Sequence, residues 1–216
     1  MAILNIIKEG GVMPAYYGET ANACALDRCL TATAERMNWE EKYPCKDMGN
    51  GKVRGVGVAL AMQGSAISNC DVGGATIKLC DDGTYMLHLG AADMGTGCDT
   101  VMAQMAADVL ECDFDDISVI SGDTDVSPYD SGSYASSTTY LTGIAVEKAC
   151  RKLRDSIQKI GAQLLGCDVE ETDFNGKTVS RLSEEEGAKN EVTLFEIGVK
   201  TQVNNSYETQ FTATAT

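Results

Sequence analysis

Two segments rich in glycine and hydroxyl residues contain the side chains and amides of this sequence that are best suited to bind a ligand. The first, residues 90–97 (GAADMGTG), lies between a predicted strand and a predicted helix. Glycine lets a backbone turn and approach a ligand closely, and the amide groups of a helix N-terminus attract anions. Position 100 is Thr100, so the segment lacks the third glycine of a dinucleotide fingerprint. A plain strand–helix turn is the alternative interpretation.

The second segment, residues 130–140 (DSGSYASSTTY), opens the longest predicted helix. Its dense hydroxyl groups beside a helix N-terminus suit a ligand with many oxygen acceptors, such as a pyrophosphate or an oxyanion. A helix cap built from Ser/Thr turns explains the same residues without a ligand. Together, the two segments could hold the two ends of one elongated anionic cofactor.

Other kinds of site are excluded by residue type and spacing. The acidic residues around Asp123 begin like a calcium loop, but that loop needs glycine and glutamate where this chain has Pro128 and Tyr134. We therefore interpret these carboxylates as turn-formers. His88 is the only histidine, so neither a histidine-based triad nor a multi-histidine metal site can be formed by this chain.

Composition limits the partners and the cellular compartment. The nine cysteines contain no Cys-x-x-Cys pair, which argues against a zinc site or a disulfide framework and favours free thiols in a reducing cytoplasm. The 17 basic and 32 acidic side chains give a net charge of -15, which disfavours a nucleic-acid partner. No run of 18 apolar residues occurs, so we predict no membrane span.

Hydrophobic periodicity predicts the elements that must position the two segments. Alternating residues over 75–80 and 85–89, joined by an Asp-Gly turn signal, predict an antiparallel hairpin. Helical spacing predicts helices over residues 98–111 and 136–165, with a strand over residues 117–121 between them. Each ligand-binding segment is therefore expected to lead directly into a helix.

The N-terminal part is predicted from the same signals. Leu26, Leu30, Ala34 and Met37 form a helical stripe within residues 20–37, and we expect it to be buried. A polar loop over residues 38–52 makes the internal boundary. Residues 54–66 alternate like a strand, and one face made only of Gly and Ala favours tight packing or a ligand.

The C-terminal part shows a short strand over residues 177–182 and a helix that starts with a capping box at Thr193. Residues 211–216 alternate like a strand, and we expect the natural polypeptide to continue beyond them. The mixture of helices and hairpins predicts an α+β fold with mixed or antiparallel sheets and packed helices. We predict one domain over residues 1–216, with a helical lead-in and loop over 1–50 and the main body over 51–216.

Four co-linear motifs carry a family resemblance. They are residues 54–58 (RGVGV), 90–101 (GAADMGTGCDTV), 121–125 (SGDTD) and 130–140. In this order they resemble the second cofactor-binding half of the large, molybdenum-binding subunit of the xanthine dehydrogenase/aldehyde oxidase family, over residues 5–216. The resemblance implies a molybdenum-cofactor-binding domain that is a fragment of a longer subunit.

The resemblance also implies an activity. Enzymes of this family hydroxylate an electron-poor carbon of an N-heterocycle or aldehyde with oxygen from water, and we expect a purine substrate, as in xanthine dehydrogenase. Nicotinate, an aldehyde and an aromatic acyl-CoA stay open. The implied cofactor is a molybdenum-pterin in its cytosine dinucleotide form, with 2Fe-2S clusters and FAD on partner subunits or domains. The alternative is a non-catalytic α+β binding or scaffold domain.

The resemblance assigns roles to individual residues. Gly95, Thr96 and Gly97 would contact the phosphate side of the pterin, although many members have Gln in place of Thr96. Within the loop beside the metal, the backbone of Ala135 would lie closest to the metal. Ser65 and Ala66 match, less specifically, a strand of the family that borders the substrate pocket. The other residues assigned to that loop are Ser133, Tyr134, Ser136 and Thr139.

The family's remaining functional residues have no counterpart in this sequence. By resemblance, its metal-side glutamine, phenylalanine–glycine loop and pocket arginine belong before Met1, and the catalytic glutamate belongs after Thr216. We therefore assign no catalytic residue here and expect the isolated chain to lack molybdenum and turnover. The remainder of the molybdenum subunit, together with iron–sulfur and flavin subunits, is the expected partner, and dimerisation of the fragment is a further expectation.

Overall fold

The computed structural model describes residues 2–14, 18–61, 63–64, 70–183, 186–204 and 206–216. The chain divides into two compact units, residues 1–63 and residues 64–216, and each is described by itself. The prediction of one partial cofactor-binding domain over the whole chain stays a prediction.

The first unit contains one long helix and several short elements. The α2 helix bears out the helix predicted within residues 20–37, and Leu30 on its predicted stripe is buried. The other three residues of the stripe are only half-buried, so the prediction of a fully buried stripe is wrong for this unit. The elements are α1 (Ala2–Asn5), β1 (Val12–Met13), β2 (Glu19–Thr20), α2 (Leu26–Met37), α3 (Trp39–Lys42), β3 (Cys45–Gly49) and β4 (Lys52–Gly55).

Two sequence predictions in this region need correction. The polar loop over residues 38–52 contains α3 and most of an antiparallel β3–β4 hairpin, whose residues are all exposed. A hairpin without a buried face shows no hydrophobic alternation, so its sequence gave only the turn signal. The strand over residues 54–66 ends at Gly55, because residues 56–61 pair with no strand in the described ranges. Val58 and Leu60 are consequently 46% and 44% exposed.

The second unit contains the elements predicted around the ligand-binding segments, with bounds that differ by a few residues. No helix in the described ranges combines the length and the apolar character needed to cross a membrane. The elements are β5 (Gly73–Leu79), β6 (Tyr85–Leu89), α4 (Cys98–Leu110), β7 (Ile117–Ser121), α5 (Thr138–Leu165), β8 (Thr172–Phe174), β9 (Thr178–Arg181), β10 (Glu191–Thr193), α6 (Leu194–Gln202) and β11 (Gln210–Ala215).

The main sheet of this unit has the strand order β11–β5–β6–β7. The first two pairings are antiparallel, and β6 pairs in parallel with β7 through the crossover helix α4. The predicted C-terminal strand therefore finds its partner, β5, within this chain. A second antiparallel sheet has the order β10–β9–β8. This mixture of sheets and packed helices confirms the predicted α+β class.

The hydrophobic core lies between the main sheet and helices α4 and α5. Burial of one large aliphatic side chain in this core contributes about 1.5–3 kcal/mol to the free energy of unfolding. The α6 helix begins with the predicted capping box, in which the Glu196 amide donates to Thr193 Oγ1 at 3.2 Å. Core residues that are fully or almost fully buried include Ile77, Leu87, Met102, Ala106, Val146 and Leu153.

Candidate cofactor-binding site

One edge of the main sheet brings the two predicted ligand-binding segments together. Because β6 and β7 are parallel, their carboxyl ends meet at the same edge, where Leu89 pairs with Ser121. The antiparallel β5 begins at that edge, where Ala75 pairs with Leu89. Ligands of α/β sheets commonly bind beyond the carboxyl ends of parallel strands. The segment 90–97 follows β6, and the connection after β7 leads through residues 130–137 into α5.

Two glycines at this edge allow the loop after β7 to lie directly on the sheet. A Cβ atom at Gly74 would lie 2.2 Å from the carbonyl oxygen of Tyr129, and one at Gly90 would lie 2.4 Å from that of Pro128. Real Cβ atoms do not approach backbone oxygens this closely. Gly90, which the sequence placed in the first ligand-binding segment, therefore serves here to bring the two segments into contact.

The two segments form the wall of one cavity of about 430 Å³. The Ser133 hydroxyl joins them by donating to the carbonyl oxygen of Ala92 at 2.9 Å. Six of the eight predicted cofactor-binding residues line this cavity, whereas Gly95 and Gly97 do not. The lining consists of Met94, Thr96, Cys98, Ser133, Tyr134, Ala135, Ser136, Thr138 and Thr139.

The first segment uses its own amides internally. The Asp93 Oδ1 atom accepts hydrogen bonds from the amides of Gly95 at 2.7 Å, Thr96 at 3.0 Å and Gly97 at 3.3 Å. These donors, with the Gly95 amide first, hold the pKa of Asp93 below its usual range. The amides that we predicted to bind a phosphate therefore donate to the Asp93 carboxylate instead. Of these three residues, Thr96 lines the cavity.

The N-terminus of α5 has the opposite character. Its N-cap residue, Ser137, donates its hydroxyl to the carbonyl oxygen of Tyr134 at 2.8 Å and makes no side-chain cap. Within the described part of the chain, no acceptor takes the amides of Thr138, Thr139 and Tyr140. Unpaired N-terminal amides carry the positive end of the helix dipole. This end of α5, with its hydroxyl groups, is the part of the cavity wall best suited to an anion.

Two non-glycine residues of the second segment have left-handed backbone conformations. Ala135 has φ 50° and Ser136 has φ 57°. Such a conformation costs about 1–2 kcal/mol for a residue with a Cβ atom, so the surrounding structure must hold it in place. The backbone of Ala135, which the family resemblance assigns to the metal, therefore depends on surrounding contacts to keep its conformation.

Asp130 supplies part of that support. Its Oδ2 atom accepts from the Thr142 hydroxyl at 2.9 Å and from the Gly74 amide at 3.3 Å. Its Oδ1 atom accepts from the Gly132 amide at 2.9 Å. One carboxylate thus connects the start of β5, the second segment and the second turn of α5.

Asp71 supplies a second anchor. Its side chain is fully buried, and its Oδ1 atom accepts a hydrogen bond from the Tyr134 hydroxyl. This hydrogen bond is the first cause of the raised pKa of Tyr134. The hydroxyl of this predicted cofactor-binding residue is therefore directed at a carboxylate of the protein, while the residue still lines the cavity.

Neither a thiol nucleophile nor a protein-held metal is evident at this edge. Burial, followed by the charge of Asp99, raises the pKa of the Cys98 thiol to about 11, so it is protonated at neutral pH. Among the described residues, no group of three or more His, Cys, Asp or Glu side chains is arranged to hold a metal ion. Asp123 accepts from the Asp125 amide at 2.9 Å, as the turn-forming interpretation predicts.

Sequence reasoning missed several residues that shape the site. Met94, Cys98 and Thr138 line the cavity, and Asp71 and Asp130 anchor its wall. The spacing of an Asp two residues before a glycine indicates an Asx turn, which was a usable signal for the Asp93 arrangement. The long-range partners of the anchoring carboxylates had no local signal. The predicted substrate residues Ser65 and Ala66 lie outside the described residues.

The donor set of the cavity fits an extended ligand with oxygen acceptors. Residues with hydroxyl groups line the cavity, among them Thr138 and Thr139 at the N-terminus of α5. Its 430 Å³ volume lies within the range of about 300–1,000 Å³ that small-molecule sites occupy. Among the described residues, no acidic side chain lines the cavity. The residues present therefore fit an anionic cofactor such as a molybdenum-pterin.

Comparisons with known proteins agree with this fit. A family of molybdopterin cofactor-binding domains matches residues 32–216. The chain is 38% identical over 207 residues to a probable hypoxanthine oxidase of Escherichia coli (strain K12), covering 96% of this chain and 21% of that relative. It is 33% identical over 168 residues to a putative xanthine dehydrogenase molybdenum-binding subunit of the same organism, covering 74% of this chain and 22% of that relative.

A solved structure gives the same architecture. The aldehyde oxidoreductase from Desulfovibrio desulfuricans matches 98% of this chain and 20% of its own, with a TM-score of 0.55 and 20% sequence identity. This likeness shows the fold. The chain spans about a fifth of the length of each of these relatives.

Proposed function

This chain belongs to the molybdopterin cofactor-binding domain family, and from this premise we propose that it forms one wall of the cofactor site of a molybdenum hydroxylase. We propose a xanthine dehydrogenase-like enzyme that oxidises a purine or related N-heterocycle with water as the oxygen source. The observation that carries the proposal is the single 430 Å³ cavity that both ligand-binding segments line. The names of the two Escherichia coli relatives support a purine substrate.

In this proposal the chain binds and orients the cofactor. The open amides of Thr138 and Thr139 and the hydroxyl of Ser136 would donate to its oxygen atoms, and the backbone of Ala135 would lie nearest the metal. When bound, a molybdenum-pterin supplies two-electron oxidation chemistry. The cytosine dinucleotide form is part of the proposal, because two donor-bearing segments on one cavity suit an extended ligand with several phosphate oxygens.

The rest of the site would come from other polypeptide segments. A chain that spans about a fifth of its relatives leaves room for a second wall, a catalytic base and the electron-transfer partners. We propose that 2Fe-2S and flavin subunits or domains accept the electrons, and that this chain alone holds no molybdenum and turns over no substrate. The nine free thiols support a reducing, cytoplasmic location.

Metal and pterin analysis tests the proposal directly. The chain alone and the complete subunit assembled with its partners would be purified from a host that makes the cofactor, and molybdenum and oxidised pterin would be quantified. We expect about one molybdenum per complete subunit, with hypoxanthine or xanthine oxidation, and almost none in the chain alone. A complete assembly without molybdenum would refute the proposal, and oxidation of aldehydes but not purines would refute the substrate class.

A cavity-wall variant adds a residue-level test. Replacing Thr139 with Val removes a hydroxyl donor from the cavity and should lower the molybdenum content of the complete subunit, because a ligand oxygen loses a partner. Tyr129→Phe is the matched control, since Tyr129 is 73% exposed and lies outside the cavity lining. If Thr139→Val contains as much molybdenum as Tyr129→Phe, the Thr139 hydroxyl does not contribute to cofactor binding.

A second candidate function is a non-catalytic binding or scaffold domain that keeps the fold. The arrangement of Asp93 favours it, because a carboxylate of the chain already satisfies the loop amides without a bound anion. This candidate predicts that the complete assembly forms normally but contains neither molybdenum nor pterin. The molybdenum and pterin content of the complete assembly therefore distinguishes the two functions.

A further inference from the structure

The second ligand-binding segment is joined to the start of β5 by a set of hydrogen bonds. The Ser131 amide donates to the carbonyl oxygen of Val72 at 2.9 Å, and the Val72 amide donates to Ser131 Oγ at 2.9 Å. The Tyr134 hydroxyl extends this set by its bond to Asp71. Both ends of the stretch 131–134 are therefore attached to residues 71–72, far away in sequence.

Tyr134 occupies a particular position in this set. It directly precedes the left-handed residues Ala135 and Ser136, which line the cavity. Tyr134 is 44% exposed, but its hydroxyl donates to the carboxylate of Asp71, which is fully buried. A buried oxygen acceptor that loses its donor is costly, so this hydrogen bond favours one position of the Tyr134 side chain. The ring of Tyr134 is thus held at the end of the stretch nearest the cavity.

We propose that Asp71 is a positioning residue of the cofactor site, which acts by holding the Tyr134 hydroxyl so that the backbone of Ala135 and Ser136 faces the cavity. The inference rests on the proposed function and adds to it a residue that touches neither the cofactor nor the substrate. Asp71 acts through the hydrogen bond that its Oδ1 atom accepts. An asparagine at this position keeps that oxygen, whereas an alanine removes it.

The test compares four variants of the complete subunit assembled with its partners: Tyr134→Phe, Asp71→Ala, Asp71→Asn and the control Tyr129→Phe. The readouts are molybdenum and pterin content, the electron paramagnetic resonance signal of molybdenum(V), and the thermal melting temperature. We expect Tyr134→Phe and Asp71→Ala to lower molybdenum content about fivefold or more and to change the signal, since the hydrogen bond that holds this stretch of backbone is lost. Asp71→Asn and Tyr129→Phe should retain the wild-type content and signal.

The Tyr134→Phe variant keeps the test decisive if Asp71→Ala fails to fold, because it removes one hydroxyl from a partly exposed side chain. Wild-type molybdenum content and signal in Tyr134→Phe would overturn the inference while the proposed function stands. Loss of molybdenum in Asp71→Asn equal to that in Asp71→Ala would also overturn it, because charge rather than the accepted bond would then matter. A wild-type assembly without molybdenum would refute the proposed function, and the inference with it.

Discussion

Replacing Asp130 with Ala should destabilise the second unit strongly, because this carboxylate connects three parts of the sheet edge. It accepts from the Thr142 hydroxyl, the Gly74 amide and the Gly132 amide. Thr142 is 1% exposed, so its hydroxyl cannot turn to water when the acceptor is removed. The half-buried Gly132 amide can find water and should add little.

The magnitude follows from the two donors that stay buried. An unsatisfied buried donor costs about 1–3 kcal/mol. The Thr142 bond has an ordinary length of 2.9 Å, whereas the Gly74 bond at 3.3 Å is long and counts at the low end of that range. We therefore expect Asp130→Ala to lower the free energy of unfolding by about 3 kcal/mol. Thr142→Val removes the hydroxyl together with its need for an acceptor, so it should cost only about 1 kcal/mol.

Urea denaturation of the chain, followed by helix circular dichroism at about 222 nm, measures these differences. A loss of about 3 kcal/mol corresponds to a fall of roughly 1–2 M in the urea midpoint for a protein of this size. Asp108→Ala, which changes an exposed aspartate of α4, serves as the control and should shift the free energy by less than about 0.5 kcal/mol. The double variant Asp130→Ala/Thr142→Val should be less destabilised than the sum of the singles. A loss below about 0.5 kcal/mol for Asp130→Ala would refute this reasoning.

Three further predictions concern the second unit. Arg154 donates to the carbonyl oxygen of Val109 at 3.1 Å and lies over the ring of Phe174. Arg154→Ala should therefore lower the free energy of unfolding by about 2 kcal/mol, measured by thermal or urea unfolding. Arg151→Ala, which removes an exposed i,i+4 ion pair with Glu147, is the control and should lower it by less than about 0.5 kcal/mol. The pKa of Glu196 is lowered to about 2, first by its bond to a lysine, so its contribution is complete above its ordinary pKa of 4.5 and is lost as pH falls from there toward 2. Solvent screening limits that contribution to about 0.5–1 kcal/mol, and Glu196→Gln should remove this pH dependence of unfolding. The raised pKa of Cys98 predicts that it reacts with a thiol reagent at neutral pH far more slowly than exposed Cys29, as mass spectrometry of labelled peptides would show; equal rates would contradict its burial.

Local patterns in the sequence were sufficient to predict the elements of the second unit. The hydrophobic alternation of β5 and β6 and the helical spacing of α4 and α5 gave the correct element types, and the capping box at Thr193 gave the start of α6. These signals work because a half-buried strand or helix must repeat its apolar residues with its own period. The same logic failed for residues 56–61, where alternation is present but no strand pairs with them in the described part of the chain.

The sequence by itself also determined which segments carry the ligand-binding residue types. Hydroxyl-rich and glycine-rich stretches before helices are visible in one dimension, and six of the residues chosen from them line one cavity. Tertiary structure decided which donors are available there. Asp93 takes the amides of its own loop, whereas the first amides of α5 find no acceptor among the described residues.

Tertiary structure alone decided how the cavity wall is held. The bonds of Asp71 to Tyr134 and of Asp130 to Gly74 join residues that are more than fifty positions apart, at separations of 63 and 56. No local pattern specifies such a pair, because an aspartate in a loop has the same local preferences whether it faces water or a distant amide. The partners are chosen only when β5, β6 and β7 align their ends and two glycines allow the backbones to touch.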